Sequence, residues 1–232
     1  MVLLNNIHYA VYASLAIVVI IAASVLCTLN PNYFLQYTDP INPLVAIISC
    51  AILGYFILDH FNNQEYFKIY RDLNLLSAFR YASIVFLFVF VAILIDLIEP
   101  LPANINVPFP DALMFYPPIA FVVEILFHLV PLAILISLFK TIFKTTKFNQ
   151  LFWLAILITS TLEPTYQALQ MGPYPDWVLV IVWVNLFFFN VTQLLIFKRF
   201  DFMAMYAFRI LYYFIWHIIW GYYRLELIFE II

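Results

Sequence analysis

The chain has 232 residues, of which 66% are hydrophobic and 10% are charged, and its mean hydropathy is +1.01. A soluble domain has about 45–50% apolar and about 25% charged residues, and a small domain cannot bury such an excess of apolar side chains. This composition excludes a soluble enzyme, and a net charge of −3 without a basic patch excludes a nucleic-acid-binding protein. We therefore expect an all-α polytopic transmembrane bundle, with residues 1–232 forming a single integral membrane domain.

Seven stretches reach the length of about 20 mostly apolar residues that a transmembrane helix requires. In chain order they are residues 8–29, 43–60, 79–99, 114–139, 149–170, 177–197 and 203–223. The first stretch lacks the basic segment and the small-residue cleavage site of a secretory signal, so we interpret it as a retained helix. The sequence thus predicts a bundle of about seven helices.

The basic residues predict how the bundle is oriented in the membrane. Of the ten Lys and Arg residues, eight lie in or beside three alternate loops: Lys68, Arg71, Arg80, Lys140, Lys144, Lys147, Lys198 and Arg199. The opposite loops, residues 30–42, 100–113 and 171–176, contain none. Because cytoplasmic loops are enriched in basic residues, we expect a cytoplasmic N-terminus and an external C-terminus. The expected location is the plasma membrane of a bacterium or archaeon.

Several polar side chains lie inside the apolar stretches. An ionisable group at the bilayer centre costs at least about 2.5–3.5 kcal/mol, so such groups mark functional sites. The candidate catalytic residues are Glu124, His128, Glu163 and His217, and the candidate supporting or substrate-binding residues are Asn185, Asn190, Arg209 and Tyr213. Pro131 and Pro164 follow two of these positions, and each proline frees a backbone carbonyl one turn upstream.

Depth along the helices groups some of these residues. At about 1.5 Å of rise per residue, Glu124, Glu163 and His217 fall at a similar level, with His128 and Arg209 nearer the cytoplasm. Arg209 stays charged and needs an acceptor, for which Asn190 and the carbonyls near Pro131 are the nearest candidates by depth. The expected site is therefore a cluster of the two carboxylates with His217.

The segment "VEILFHLVPL", residues 123–132, resembles the "EEILFRGLLL" type of segment in the glutamic intramembrane proteases. That family includes the CAAX prenyl endopeptidases and the bacteriocin-processing and immunity proteins. Its pattern is EExxxR on one helix, FxxxH on the next, and HxxxN or HxxxD on a later helix. Glu163 follows Glu124 by 39 residues and His217 follows Glu163 by 54 residues, which fits the order of the motifs over roughly residues 115–222. The resemblance implies an intramembrane peptidase acting on a membrane-embedded or prenylated peptide.

Only Glu124 and His217 match the family's motif residues by identity. The positions that differ are Val123, His128, Glu163 and Gly221, which stand for the first Glu, the Arg, the second-motif His and the Asn or Asp. In the family, Glu and His activate water while His and Asn stabilise the oxyanion. Either the same positions perform rearranged chemistry here, or the scaffold serves another task.

Three functions stay open at this point. The first is a peptidase whose substrate is a membrane-embedded peptide or protein, and the second is a non-catalytic scaffold or immunity-type protein on the same fold. The third is a protein that handles metal ions or protons, because two carboxylates and two imidazoles can hold a divalent cation such as zinc. The candidate metal ligands are Glu124, His128, Glu163 and His217, and no other cofactor is expected.

The predicted orientation can be tested with accessibility tags. A tag after Ile232 should be accessible from outside intact cells, whereas a tag in the loop 140–148 should react only after the membrane is opened. Labelling with the opposite sidedness would overturn the orientation.

Overall fold

The computed structural model describes residues 2–38, 40–64, 66–70, 81–143 and 148–229. These residues form helices joined by turns, with no strand among them. The helices are α1 (Val2–Leu29), α2 (Asn32–Thr38), α3 (Pro43–Asn63), α4 (Val85–Ile98), α5 (Ala112–Phe143), α6 (Phe148–Gln170), α7 (Asp176–Arg199) and α8 (Phe202–Phe229). The basic residues Arg71, Arg80, Lys144 and Lys147, on which the predicted orientation partly depends, lie outside the described residues.

Five helices are long and apolar enough to cross a membrane. They are α1, α3, α5, α7 and α8, counted among the described residues. Helix α4 is apolar but has 14 residues, and α6 has 23 residues but carries polar side chains such as Ser160 and Glu163 along its length. The expectation of an all-helical bundle is confirmed, and the count of seven spans and the orientation stay predictions.

The bundle is arranged inside out relative to a soluble protein. Large apolar side chains such as Phe86, Leu87 and Phe90 of α4 point outward and are more than half exposed. Charged side chains such as Glu124 and Arg209 are buried in the interior. This distribution fits a bilayer environment, where apolar side chains can face the lipid and charged side chains are buried with partners.

Helix α5 occupies the middle of the bundle and packs against α1, α3, α6 and α8, while α7 packs against α4, α6 and α8. Gly54 of α3 permits close approach at one of these crossings. A Cβ atom there would lie 2.5 Å from the Tyr12 hydroxyl of α1 and 2.9 Å from Ile125 Cδ1 of α5. The absence of a side chain at residue 54 therefore lets α1, α3 and α5 meet.

Two helices contain a π-helical turn, in which the backbone bonds reach five residues back. In α5 it spans Glu124–Leu129, and the N–H of Val130 donates to the carbonyl of Ile125. Pro131 follows immediately and has no N–H to continue an ordinary α-helical ladder. In α8 the wider turn spans Phe214–Trp220. Such turns are rare in helices and frequently occur at functional sites, and here both contain candidate residues.

A buried ion pair ties the end of α4 to the last turns of α8. Asp96 and Arg224 are fully buried, and Arg224 donates to both carboxylate oxygens at 2.7 Å. Arg224 also donates to the carbonyls of Leu101 and Pro102, while Asp96 accepts from the backbone N–H of Leu101. The pair thereby holds the segment after α4 against the bundle. Arg224 lies beyond the predicted span 203–223, because α8 continues to Phe229.

We expect Arg224→Met to lower the unfolding free energy by about 3–5 kcal/mol, because it leaves the Asp96 carboxylate buried without its partner. The double variant Asp96→Asn/Arg224→Met should be more stable than Arg224→Met alone, since it removes both charges. Equilibrium unfolding in detergent would measure this coupling. Strictly additive effects of the two substitutions would show that the pair contributes no interaction energy.

Candidate functional site

Arg209 of α8 lies at the centre of the buried polar cluster, which we call the Arg209 centre and which comprises Glu124, His128, Glu163, Gln193 and Arg209. Its guanidinium is 1% exposed and makes a two-pronged contact with Glu163 of α6, at 2.8 Å from Nη1 and 2.7 Å from Nη2. Its Nε donates to Glu124 of α5 at 2.5 Å. One arginine therefore joins the carboxylates of two helices.

The remaining donors of Arg209 are used as well. Nη1 donates to the Tyr213 hydroxyl at 3.2 Å, and Nη2 donates to the side-chain oxygen of Gln193 at 2.8 Å. Nη2 also lies 3.4 Å from the side-chain oxygen of Asn190. An arginine has five N–H groups, and here each of them has an acceptor. The amide of Gln193 in turn donates to Glu124, so α7 is part of the same network.

His128 lies between the two carboxylates. Its Nδ1 is 3.1 Å from Glu124 Oε2 on the same helix, and its Nε2 is 4.0 Å from Glu163 Oε2. The first contact lacks the alignment of a hydrogen bond and the second is too long for one. Both ring nitrogens and Glu124 Oε2 are buried without a hydrogen-bond partner. His128 is thus close enough to both carboxylates to interact electrostatically with each.

The prolines shape this cluster as their positions indicate. Pro164 has no N–H to donate to the carbonyl of Ser160 one turn earlier in α6. That carbonyl instead accepts a hydrogen bond from the side-chain amide of Asn190 in α7, at 3.5 Å. The π turn before Pro131 brings Glu124 and His128 of α5 into the interior, where both are fully buried. Local helix chemistry thus places the cluster.

His217 makes its polar contact outside the Arg209 centre. Its Nδ1 lies 2.7 Å from Asn106 Oδ1, and its ring stacks on Tyr116 with the centroids 4.5 Å apart. Tyr213 connects the two regions, because it accepts from Arg209 and packs edge-on against His217 at 4.9 Å. His217 lies within the π turn of α8, so a regular helical period does not describe its angular position relative to Arg209.

Asn106 reaches the bundle because residue 221 is a glycine. A Cβ atom on Gly221 would lie 2.8 Å from Asn106 Nδ2 and 3.2 Å from Asn106 Cβ. The amide beside His217 therefore comes from the segment between α4 and α5, at the place where a side chain of residue 221 would project. Asn106 was not among the residues that the sequence singled out, since nothing in its local sequence distinguishes it from other loop asparagines.

The structure corrects several expectations about individual residues. The expected difference in depth does not keep Arg209 from the two carboxylates, because its long side chain brings the guanidinium to Glu124 and Glu163. Asn190 is near its guanidinium as expected, but the two carboxylates are the principal acceptors. Asn185 is directed to α4 instead, where its amide donates to the carbonyl of Phe88 at 3.2 Å.

A divalent metal does not fit this arrangement. Glu163 uses both carboxylate oxygens on Arg209, and Glu124 Oε1 is also taken by that guanidinium. Across the described ranges, no group of three or more His, Cys, Asp and Glu side chains has the arrangement to hold a metal ion. The positive charge that faces both carboxylates is the guanidinium of Arg209.

No family model, curated protein or solved structure matches this chain. The resemblance to the glutamic intramembrane proteases rests on the motif residues alone and stays a prediction.

We expect Gly221→Ala to lower the unfolding temperature, although alanine favours a helix over glycine by about 1 kcal/mol. The added Cβ must displace Asn106 from His217. Gly172→Ala is the matched control, because a Cβ atom there meets nothing within 4 Å. Thermal unfolding in detergent measures both. An increase in stability for Gly221→Ala would contradict the proposed packing. Asn106→Ala in a double variant should remove the two shortest contacts, those with Nδ2 and Cγ, and recover part of the loss.

Proposed function

We propose that this protein is a non-catalytic membrane scaffold or immunity-type protein, which recognises a membrane-embedded peptide or protein without cleaving it. The observation that carries the proposal is the saturation of Arg209 by Glu124 and Glu163. A carboxylate that activates water must be free to accept its proton. The two-pronged ion pair engages both oxygens of Glu163 with Arg209, so neither oxygen is unoccupied.

The contacts of His217 support the same proposal. In the family that the motifs resemble, one His acts with Glu on water and another His acts with Asn on the oxyanion. Here the ring of His217 is held by Asn106 and Tyr116, and Tyr213 lies between it and Arg209. A matching order of motif positions with altered partners is what a scaffold descended from an enzyme would retain.

Buried charge can serve such a scaffold by fixing how its helices pack. Arg209 joins α8 to α5 and α6, and Gln193 adds α7 to the network. Removal of one partner from a buried ion pair is strongly destabilising, whereas its replacement by uncharged groups can be tolerated. The proposed arrangement has about seven spans with the N-terminus in the cytoplasm of a bacterium or archaeon.

Intramembrane hydrolysis is the second candidate, and one specific observation favours it. His128 has two nitrogens without hydrogen-bond partners and lies beside two carboxylates in a fully buried setting. A carboxylate that orients an imidazole with a free second nitrogen is an arrangement used for general base catalysis. In this case Glu124 would orient His128, and Arg209 would provide a fixed positive charge near the reacting bond.

Variants that remove charges test whether the Arg209 centre stabilises the fold. Arg209→Met should lower the unfolding free energy by about 3–5 kcal/mol, because two buried carboxylates lose their partner. Adding Glu124→Gln and Glu163→Gln to Arg209→Met should recover most of that loss. Equilibrium unfolding in detergent gives these values. If the triple variant is no more stable than Arg209→Met, the carboxylates are not held by Arg209.

Hydrolysis is tested directly with purified protein in liposomes and a prenylated or transmembrane peptide carrying a fluorescent reporter. The scaffold proposal predicts no cleavage above that of protein-free liposomes. Cleavage by the natural chain that His128→Asn abolishes, in a variant with normal unfolding temperature, would overturn the scaffold proposal in favour of the peptidase.

A further inference from the structure

The fixed charges of the Arg209 centre do not balance. Glu124 and Glu163 bring two negative charges, and Arg209 brings one positive charge that it keeps at any accessible pH. All three side chains are at least 97% buried. An uncompensated charge in such a place is costly, and groups in this situation bind or release a proton instead. One further positive charge is needed for neutrality.

The position of His128 shows where that charge can be held. Both of its ring nitrogens face carboxylate oxygens, Nδ1 toward Glu124 and Nε2 toward Glu163. A neutral imidazole has one N–H and one lone pair, so one nitrogen would turn a lone pair toward a carboxylate. Glu124 Oε2 and both nitrogens are also buried without partners. A proton among these atoms satisfies groups that are otherwise unpaired.

We infer that the Arg209 centre is a proton-binding site, which holds one proton among His128, Glu124 and Glu163 in the folded protein. The bound species is a single proton, and the site becomes electrically neutral when it is filled. This inference depends on charge and geometry alone. It applies whether the protein is a scaffold or a peptidase.

The surrounding elements leave this balance unchanged. Helix α7 faces the centre with the amides of Asn190 and Gln193. Helix α6 adds the amide of Gln167, which donates to Glu163 at 3.0 Å, and α3 meets the π turn of α5 through Gly54 against Ile125.

The other titratable groups around the centre in the described part of the chain are the phenols of α8 and His217, which interacts electrostatically with Arg209. Tyr213 accepts from Arg209, while Tyr206 and Tyr212 are near enough to the carboxylates to interact electrostatically. Phenols carry no charge near neutral pH. The excess negative charge therefore belongs to the two glutamates.

Stability measured against pH tests the proposal. Above about pH 7 the unfolded chain has ionised glutamates and mostly neutral histidines, so unfolding releases the bound proton. The folding equilibrium constant should then fall about tenfold per pH unit as the pH rises, until the folded protein itself loses the proton. The measurement uses the full chain in detergent, with equilibrium unfolding at intervals between about pH 7 and about pH 9.

Glu163→Gln and Glu124→Gln each leave the centre neutral without an additional proton, and this steep dependence should be lost in either variant. Glu226→Gln is the matched control, because Glu226 is an exposed residue near the end of α8. The control should keep the dependence of the natural chain. Two test variants guard against the failure of one to fold. An equal pH dependence in all four proteins would overturn the proposal.

Spectroscopy locates the proton. The chain has four histidines, so ¹⁵N-histidine NMR with His128→Asn as the assignment variant identifies the signal of residue 128. Protonation of both its ring nitrogens at about pH 8, or an infrared carboxylic acid band that Glu124→Gln or Glu163→Gln removes, supports a bound proton. A neutral imidazole together with no carboxylic acid band would contradict the bound proton. Restoration of stability at high pH by an added metal ion would contradict it as well.

Discussion

An arginine inside an apolar bundle cannot discard its charge, and the interior of this protein is arranged around that constraint. Arg209 keeps its proton where a lysine or histidine would give one up. It must therefore be met by acceptors for five N–H groups, and these come from α5, α6, α7 and its own helix. Four helices are brought into a fixed relation by the needs of one side chain. The carboxylates come from a helix with an internal proline, Pro164 in α6, and from the π turn of α5.

Helix α8 contains a second buried arginine paired with a carboxylate, nearer its C-terminal end. Arg224 of α8 binds both oxygens of Asp96 and then the carbonyls that follow α4, just as Arg209 binds both oxygens of Glu163. The Arg209 centre joins four helices, and the Arg224 pair joins α8 to the end of α4 and to the segment that follows it. The two sites differ in net charge. The charges of Asp96 and Arg224 cancel, whereas the Arg209 centre contains one more carboxylate than its arginine can neutralise. One helix can thus carry both a neutral ion pair and a site that binds a proton.

The helical class and the positions of the helices could be predicted because long apolar stretches leave few alternatives in a lipid environment. Glu124, His128 and Glu163 could be selected for the same reason, since each is too costly to leave without a partner. The identity of the partners could not be read from the sequence. A rise per residue gives the level of a backbone atom, but Arg209 acts at the end of a long side chain. Asn106 and Arg224 were missed because one is in a connecting segment and the other lies beyond the most apolar part of its helix.

The π turn of α8 also determines the helical phase of everything after it. An ordinary α-helix advances about 100° per residue, and a turn closed by five residues delays that advance by the equivalent of one residue. Arg209 lies before the turn and Arg224 lies after it. Loss of a single residue between Phe214 and Trp220 would thus close the π turn to an ordinary α turn and leave Arg209 and Arg224 at their present angular positions. The two α-helical segments of α8 are therefore offset by one residue across the π turn. A motif that crosses this turn cannot be compared residue by residue with a motif on an uninterrupted helix.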